Sequence, residues 1–456
     1  MDVRHTSWIR VLVLATVVVL LALPASVAAQ ESSESDSEES SAEGSTEGIE
    51  IDVKGSARRT LLPVAVPDTL EPGGETGKVG QRVQEILRRD LKMSGFFKVI
   101  PPDTYFFDAS KEGMSLTDIK FQNYFNIGAQ ALIKGAVRVD GDDVNLDLRL
   151  YSVDSGERVS VNWNGSKATK DNYEMKVHEF VNAVIEHYTG KPGIFGSRIA
   201  YARRLDNGSK QIYVSGIDGS NVAKITDNSS INMLPSWGAG RLFYTSYRAG
   251  NPDLWVYSGG DHDKLSSQRG QNTGGAYCGG KLAVTLSMGG ENTDVYLIDP
   301  DSGEIQQRLT SHWSIDTSPS WSPDCSQIAF VSGRSGGPQI YVMNADGSGQ
   351  KRLTYQGNYN TQPNWSPTGD KIAFAARDER NAYDIFTVDL NGNIERLTQD
   401  QGNNEHPSYG PDGRYLVFVS DRGGKGDRIW MMTSDGEIQN PVTSGSGGYA
   451  SPAWKR

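Results

Sequence analysis

Apolar positions along the chain follow two periods. From residue 49 to 190 the periods are mixed. Ile49-Glu50-Ile51-Asp52-Val53 alternates and predicts a strand, as does Leu61 to Val66. Val79, Val83, Ile86, Leu87 and Leu91 share one helical face, and Gly95 follows as a stop. Phe96 to Ile100 predicts a strand and Ile119 to Ile127 a short helix. Ala131–Val139 and Val144–Tyr151 alternate on either side of Asp140-Gly141-Asp142-Asp143, a hairpin signal, and Arg158 to Gly165 is expected to continue the meander. Tyr173 to Tyr188 is amphipathic through Val177, Phe180, Val181, Val184 and Ile185. These elements predict a small α/β domain over 49–190.

Beyond it the pattern repeats six times. An apolar-aromatic strand core recurs as Ile212-Tyr213-Val214, Leu254-Trp255-Val256, Val295-Tyr296-Leu297, Ile340-Tyr341-Val342, Ile385-Phe386-Thr387 and Ile429-Trp430-Met431. A basic-apolar-hydroxyl element follows each: Lys224-Ile225-Thr226, Lys264-Leu265-Ser266, Arg308-Leu309-Thr310, Arg352-Leu353-Thr354, Arg396-Leu397-Thr398 and a degenerate Pro441-Val442-Thr443. Then comes an aromatic, mostly after Pro-x: Trp237, Tyr277, Trp321, Trp365, Tyr409 and Trp454. The last two markers share the spacings 40, 44, 44, 44 and 45. A period near 44 built of strands and turns is one four-stranded propeller blade. The fold class expected is mainly β: a small N-terminal α/β domain followed by a six-bladed β-propeller over 191–456. The first unit lacks the Pro-x-aromatic element and the chain ends just after one, so the C-terminal strand is expected to close the ring and cover its edges.

The N-terminus reads as an export signal. Arg4 and Arg10 precede an apolar run from Val11 to Leu23, too short to span a membrane, and Val27-Ala28-Ala29 offers a cleavage site. Residues 1–29 are therefore expected to be removed, leaving a mature periplasmic protein with no transmembrane segment. Residues 30–48 are a Ser/Glu linker, predicted to be disordered; 31–48 hold seven acids and no base. With the net charge at -11, residues 49–456 carry only -5, and neither value suits nucleic acid.

Little in the sequence assembles chemistry. HExxH, P-loop, CxxC and GxGxxG patterns are missing, and no cofactor or metal is expected. The Asp140–Asp143 run lacks calcium-loop spacing and reads as a hairpin turn. Gly333-Arg334-Ser335-Gly336-Gly337 matches a nucleophile elbow but falls in a blade hairpin. His178 and His187 read as surface histidines. Cys278 and Cys325 follow the aromatic in successive units. Export favours a disulfide between them, whereas equivalent points on adjacent blades are about 10 Å apart, beyond the Cα limit. The repeated aromatics and leucines read as blade packing, and the repeated Thr as a hydrogen-bond partner within the blade.

The residues before each Pro-x-aromatic do not repeat: Asn232-Met233-Leu234, Thr273-Gly274-Gly275, Asp316-Thr317-Ser318, Asn360-Thr361-Gln362, Asn404-Glu405-His406 and Tyr449-Ala450-Ser451. They are expected to be rim loops around the channel, a natural binding face. A propeller peptidase would need a hydrolase domain larger than 49–190. A lyase would need a channel cluster of His, Lys, Arg or metal. A sugar-binding propeller would need rim aromatics, of which only Tyr449 is expected.

Four segments carry a family resemblance: Lys191-Pro-Gly-Ile-Phe-Gly-Ser-Arg-Ile-Ala-Tyr201 at the domain junction, Asp316-Thr-Ser-Pro-Ser-Trp-Ser-Pro-Asp324, Pro338-Gln-Ile-Tyr-Val-Met-Asn344 and the closing Ser451-Pro-Ala-Trp454. With the domain order, they make residues 49–456 resemble the TolB family, periplasmic components of the Tol–Pal envelope system. The resemblance implies a non-enzymatic adaptor for outer-membrane integrity and cell division. Its propeller would bind Pal, and other outer-membrane lipoproteins would be further partners. Its N-terminal strand would bind TolA by β-augmentation. By that resemblance Ile49, Glu50, Ile51, Asp52 and Val53 are the TolA-binding strand. Thr273, Asp316, Thr317, Asn360, Thr361, Asn404 and Glu405 are the Pal-binding candidates. The alternative is a propeller enzyme or sugar-binding propeller acting on envelope polysaccharide. Two features depart from the family: the acidic linker ahead of the strand, and the cysteine pair.

Overall fold

The computed structural model describes residues 60–74, 77–290 and 292–455. The expected signal, linker and Ile49–Val53 strand lie outside these residues.

The N-terminal unit is one sheet with its two long helices on one face and the short helix Phe121–Asn126 on the other. Its strand order runs Phe97–Ile100, Leu62–Ala65, Ala131–Asp140, Asp143–Ser152 and Arg158–Val159. The first three are parallel neighbours, and Ala131–Asp140 forms a hairpin with Asp143–Ser152. Alternation along Ala131–Asp140 sends Ala131, Ile133 and Val137 to the helical side and Leu132 to the other. The helices Val79–Met93 and Tyr173–Thr189 fill the first side with Val83, Ile86, Leu87, Leu91, Phe180 and Val184. The meander expected over Arg158–Gly165 stops at Val159. Trp163 instead turns in to pack edge-on against Phe180, and the chain rejoins the sheet at Lys167–Thr169.

Residues 198–454 form six four-stranded antiparallel sheets, blades I to VI. The innermost strands are Tyr449–Trp454 for blade I, then Asn232–Gly238, Asn272–Cys278, Asp316–Trp321, Asn360–Trp365 and Asn404–Tyr409. The repeated apolar-aromatic core is the third strand of each blade. Ring closure takes the expected form: Tyr449–Trp454 pairs antiparallel with Arg198–Arg204, matching Trp454 to Ile199. The motif aromatics also tie blades together. Trp321 donates to Ala276 O at 2.8 Å, and Trp237 donates to Ala453 O at 3.1 Å, both in the preceding blade.

Cys278 and Cys325 are bonded, with Cα atoms 5.7 Å apart. The separation expected from equivalent positions does not apply, because the positions are not equivalent. Cys278 directly follows its aromatic, whereas Cys325 lies four residues after Trp321, in a hairpin at φ 60° that reaches back from blade IV to blade III.

The N-terminal unit packs on blades I and VI, at the end where each innermost strand finishes. One apolar core runs through the junction and joins Val83, Ile86 and Val184 to Tyr415, Met431 and Trp454. Gly95 is required there twice over: its φ is +72°, and a Cβ would meet Thr433 Cγ2 at 2.9 Å. Tyr415 donates to Ser94 O at 2.8 Å.

His178, expected on the surface, is buried at this junction. Its Nδ1 lies 2.5 Å from Asp90 Oδ2, and its Nε2 lies 3.9 Å from Asp218 Oδ2 of blade I, which also pairs with Arg89. Burial pushes the Asp90 carboxyl up. Burial acts the same way on Asp218, but Arg89 and Ser220 hold it below the usual range. A helical period shows which residues face their own domain. It does not show that a second domain covers the flank.

Candidate functional site

Each innermost strand starts at the face opposite the N-terminal unit and runs down a central channel of about 720 Å³. The residues expected as rim loops are strand residues. In every blade the register slips after the second residue, between Met233 and Ser236, Thr273 and Ala276, Thr317 and Ser320, Thr361 and Asn364, Glu405 and Ser408, and Ala450 and Ala453. The third residue is left-handed in all six: Leu234, Ser318, Gln362, His406 and Ser451 at φ 49–56°, and Gly274 at 66°. A non-Gly residue there costs about 1–2 kcal/mol. Fivefold repetition of that cost, with glycine at the sixth position, marks a built bulge, and a bulge is where a strand tolerates the proline that follows in five blades.

The bulge sorts the candidates by depth. The first residue of the strand is buried, and in blades V and VI it ties its own blade to the preceding one. Asn360 donates to Gln339 Oε1 at 2.7 Å and to Gln356 O at 2.9 Å. Asn404 donates to Asp384 Oδ1 at 2.9 Å and accepts from Arg422 at 2.7 Å. Asp316 accepts from Arg334 at 2.8 Å. Asp316, Asn360 and Asn404 are therefore interior hubs and not partner ligands, since a buried polar group already bonded inside the propeller is costly to expose. The repeated Thr belongs to the same hub: Thr354 Oγ1 accepts from Ile340 N at 3.0 Å and donates to Gln339 Oε1 at 2.8 Å.

The second residue faces the channel. Thr273, Thr317, Thr361 and Glu405 all line it, although the three threonines are nearly enclosed by neighbouring strands, with Thr317 Oγ1 3.3 Å from Thr285 Oγ1. The third residues, Ser318, Gln362 and His406, line it too and are more open. Gln362 joins the second and third residues of blade VI, accepting from His406 N at 2.7 Å and donating to Glu405 at 3.4 Å.

The channel is electrically lopsided. Arg204, Lys210, Glu405, His406 and Asp427 line its mouth at blades I and VI, whereas blades III and IV offer Thr, Ser, Gly and Ala. Burial raises the Glu405 carboxyl, and burial with Arg204 lowers Lys210. Burial, together with Lys210, lowers His406 to about 4. The folded chain thus holds His406 neutral where the unfolded chain protonates it. That stability is complete above about pH 6.5 and is lost as pH falls toward 4, while Glu405 responds in the opposite sense. The variant His406→Gln should lose less stability than the natural chain between pH 7 and pH 4, by urea unfolding. Parallel losses would contradict the assignment.

Two features escaped the sequence reading. Tyr449, expected as the one rim aromatic, is buried. Trp313 and Tyr355, in the loops that enter blades IV and V at the channel mouth, are 81% and 71% exposed. Arginines after the second strand also recur: Arg248 over Trp255, Arg334 over Tyr341 and Arg422 over Trp430, each reaching a serine two residues back. The Ser-x-Arg spacing was the available signal.

Among the described residues no group of three or more His, Cys, Asp or Glu is placed to hold a metal ion. No helix among them is long and apolar enough to cross a membrane.

Residues 185–456 match the TolB β-propeller domain family and residues 49–159 the TolB amino-terminal domain family. "Tol-Pal system protein TolB" of Anaeromyxobacter dehalogenans strain 2CP-1 is 40% identical over 277 residues, 59% of this chain and 62% of that protein. The protein of the same name from Desulfosudis oleivorans is 37% identical over 259 residues, 55% of this chain and 58% of that one. The alignments thus span about three-fifths of these relatives. The crystal structure of TolB from Acinetobacter baumannii superposes with a TM-score of 0.73 at 23% identity, covering 89% of this chain and 99% of that one, a likeness of fold. On the propeller match, which takes in more than half its length, this chain belongs to the TolB family.

Proposed function

We propose that this protein is a periplasmic binding scaffold of the Tol–Pal system. Its channel face receives a Pal-type lipoprotein, and the strand Ile49–Val53 adds to a sheet edge of TolA. The linkage serves outer-membrane integrity and constriction at division. The observation that carries the reading is the family match over both parts of the chain, with relatives named for that system. The channel mouth supports it: it is open, unrepeated from blade to blade, and lies away from the N-terminal unit, so one partner can engage each end.

The test is calorimetry of the protein without residues 1–29 against the soluble domain of its own Pal-type lipoprotein. The interior hubs are unsuitable probes, since Asn360→Arg would place a charge in the blade core. Ser318→Arg, from a half-buried position on the channel wall, is the better choice. The expected result is saturable binding, weakened at least tenfold in Ser318→Arg with thermal unfolding unchanged. No binding by the folded natural chain would reject the partner.

A further inference from the structure

The six loops that carry the chain from the outer edge of one blade to the innermost strand of the next all open on the channel mouth. Four of them, 227–231, 267–271, 399–403 and 444–448, hold no aromatic residue. The other two present Trp313 and Tyr355 to solvent. Met288 is exposed as well, in the neighbouring hairpin of blade III. The repeat does not call for these side chains, since the other loops omit them. Nor does the interior, since the rings point out of it.

The backbone beneath both rings is pinned. His312 O accepts from Asn292 Nδ2 at 2.6 Å, and Ser314 N donates to His312 Nδ1 at 3.1 Å. Around Tyr355, Gln356 O accepts from Asn360 Nδ2 at 2.9 Å, Gly357 O accepts from Gln339 Nε2 at 2.9 Å, and the Arg352 guanidinium lies 4.9 Å from the ring centroid. A large apolar side chain on an ordered loop loses little conformational freedom when a partner covers it, which is the character of a binding hot spot. The charged residues of the mouth lie on its opposite side, at blades I and VI.

We propose that Trp313 and Tyr355 are the anchors of the protein docked on the channel face, and that the partner meets them with an apolar pocket over blades III to V. The channel threonines supply complementarity beneath that contact. This rests on the docking reading above, so the occupant is the Pal-type soluble domain.

The test measures that domain's affinity for the natural chain, for Trp313→Ala, for Tyr355→Ala and for Lys351→Ala, a nearby exposed control. Both rings are solvent-exposed, so all three variants should keep the natural unfolding temperature. Affinity should fall at least tenfold for each aromatic variant and less than twofold for the control. Natural binding with aromatic variants within twofold would overturn the anchors and leave the docking reading standing. No natural binding would overturn both. Soluble peptidoglycan fragments form a second arm: if they bind and the aromatic variants lose them while keeping the lipoprotein domain, the rings are a sugar platform and the proposal is wrong.

Discussion

Replacing Arg396 with Met should destabilise the protein by about 3–5 kcal/mol, the usual cost of stranding a buried charge. Arg396 is almost wholly buried in blade V. Its guanidinium lies 2.5 Å from Asp384, 3.1 Å from Asp378 and 3.2 Å from Glu379, and its Nε donates to Thr398 O at 3.0 Å. Methionine keeps much of the volume and removes the cation. Two buried carboxylates then share Arg380, which lies 2.6 Å from Asp378 but 3.8 Å from Asp384. Blade IV supplies the control. Arg352 holds the same place in its repeat, yet the residue corresponding to Asp384 is the neutral Gln339. Arg352→Met strands no carboxylate and should cost under about 1 kcal/mol. Urea unfolding reads both. Equal small costs would mean that the blade V cluster relaxes or admits water.

Changing Cys278 and Cys325 together to Ser should cost about 2–4 kcal/mol, with the 47-residue separation placing the chain-entropy value near the top of that range. The bond staples the end of the innermost strand of blade III to a hairpin of blade IV. Its loss should lower the thermal midpoint and raise hydrogen exchange first at those two elements. Reduction of the natural protein should reproduce the shift, and reduction of the double variant should do nothing. A natural chain indifferent to reductant would show that the ring does not draw on this link.

The sequence exposed what the propeller repeats. Each blade places an aromatic, an aliphatic and a hydroxyl residue at the same three positions, so three markers report one period. Ring closure followed from the mismatch between the two ends. What the markers left out is set by distance in the chain. Asn360 looked like a free rim residue because its partner Gln339 lies twenty-one positions away, across a blade. The degenerate Pro441 looked like decay of the motif. In space the position matching Asp384 is Arg428 in blade VI, so a cation at 441 would face another cation. His178 needed the second domain to become buried. Of the seven residues expected on the channel face, Thr273, Thr317, Thr361 and Glu405 line the channel, and Asp316, Asn360 and Asn404 lie behind it. The bulge makes that division, and a left-handed residue ahead of a proline is not visible in composition or period.

The central claim is that one partner engages the channel mouth while the opposite end is held by the N-terminal unit. Hydrogen exchange of the protein without residues 1–29, with and without the Pal-type soluble domain, tests it most directly. The account predicts new protection at 272–274, 311–318 and 355–362, around the mouth, with the hairpins at 239–240 and 279–280 on the far side unchanged. Protection confined to those far hairpins, or to the N-terminal unit, would contradict it.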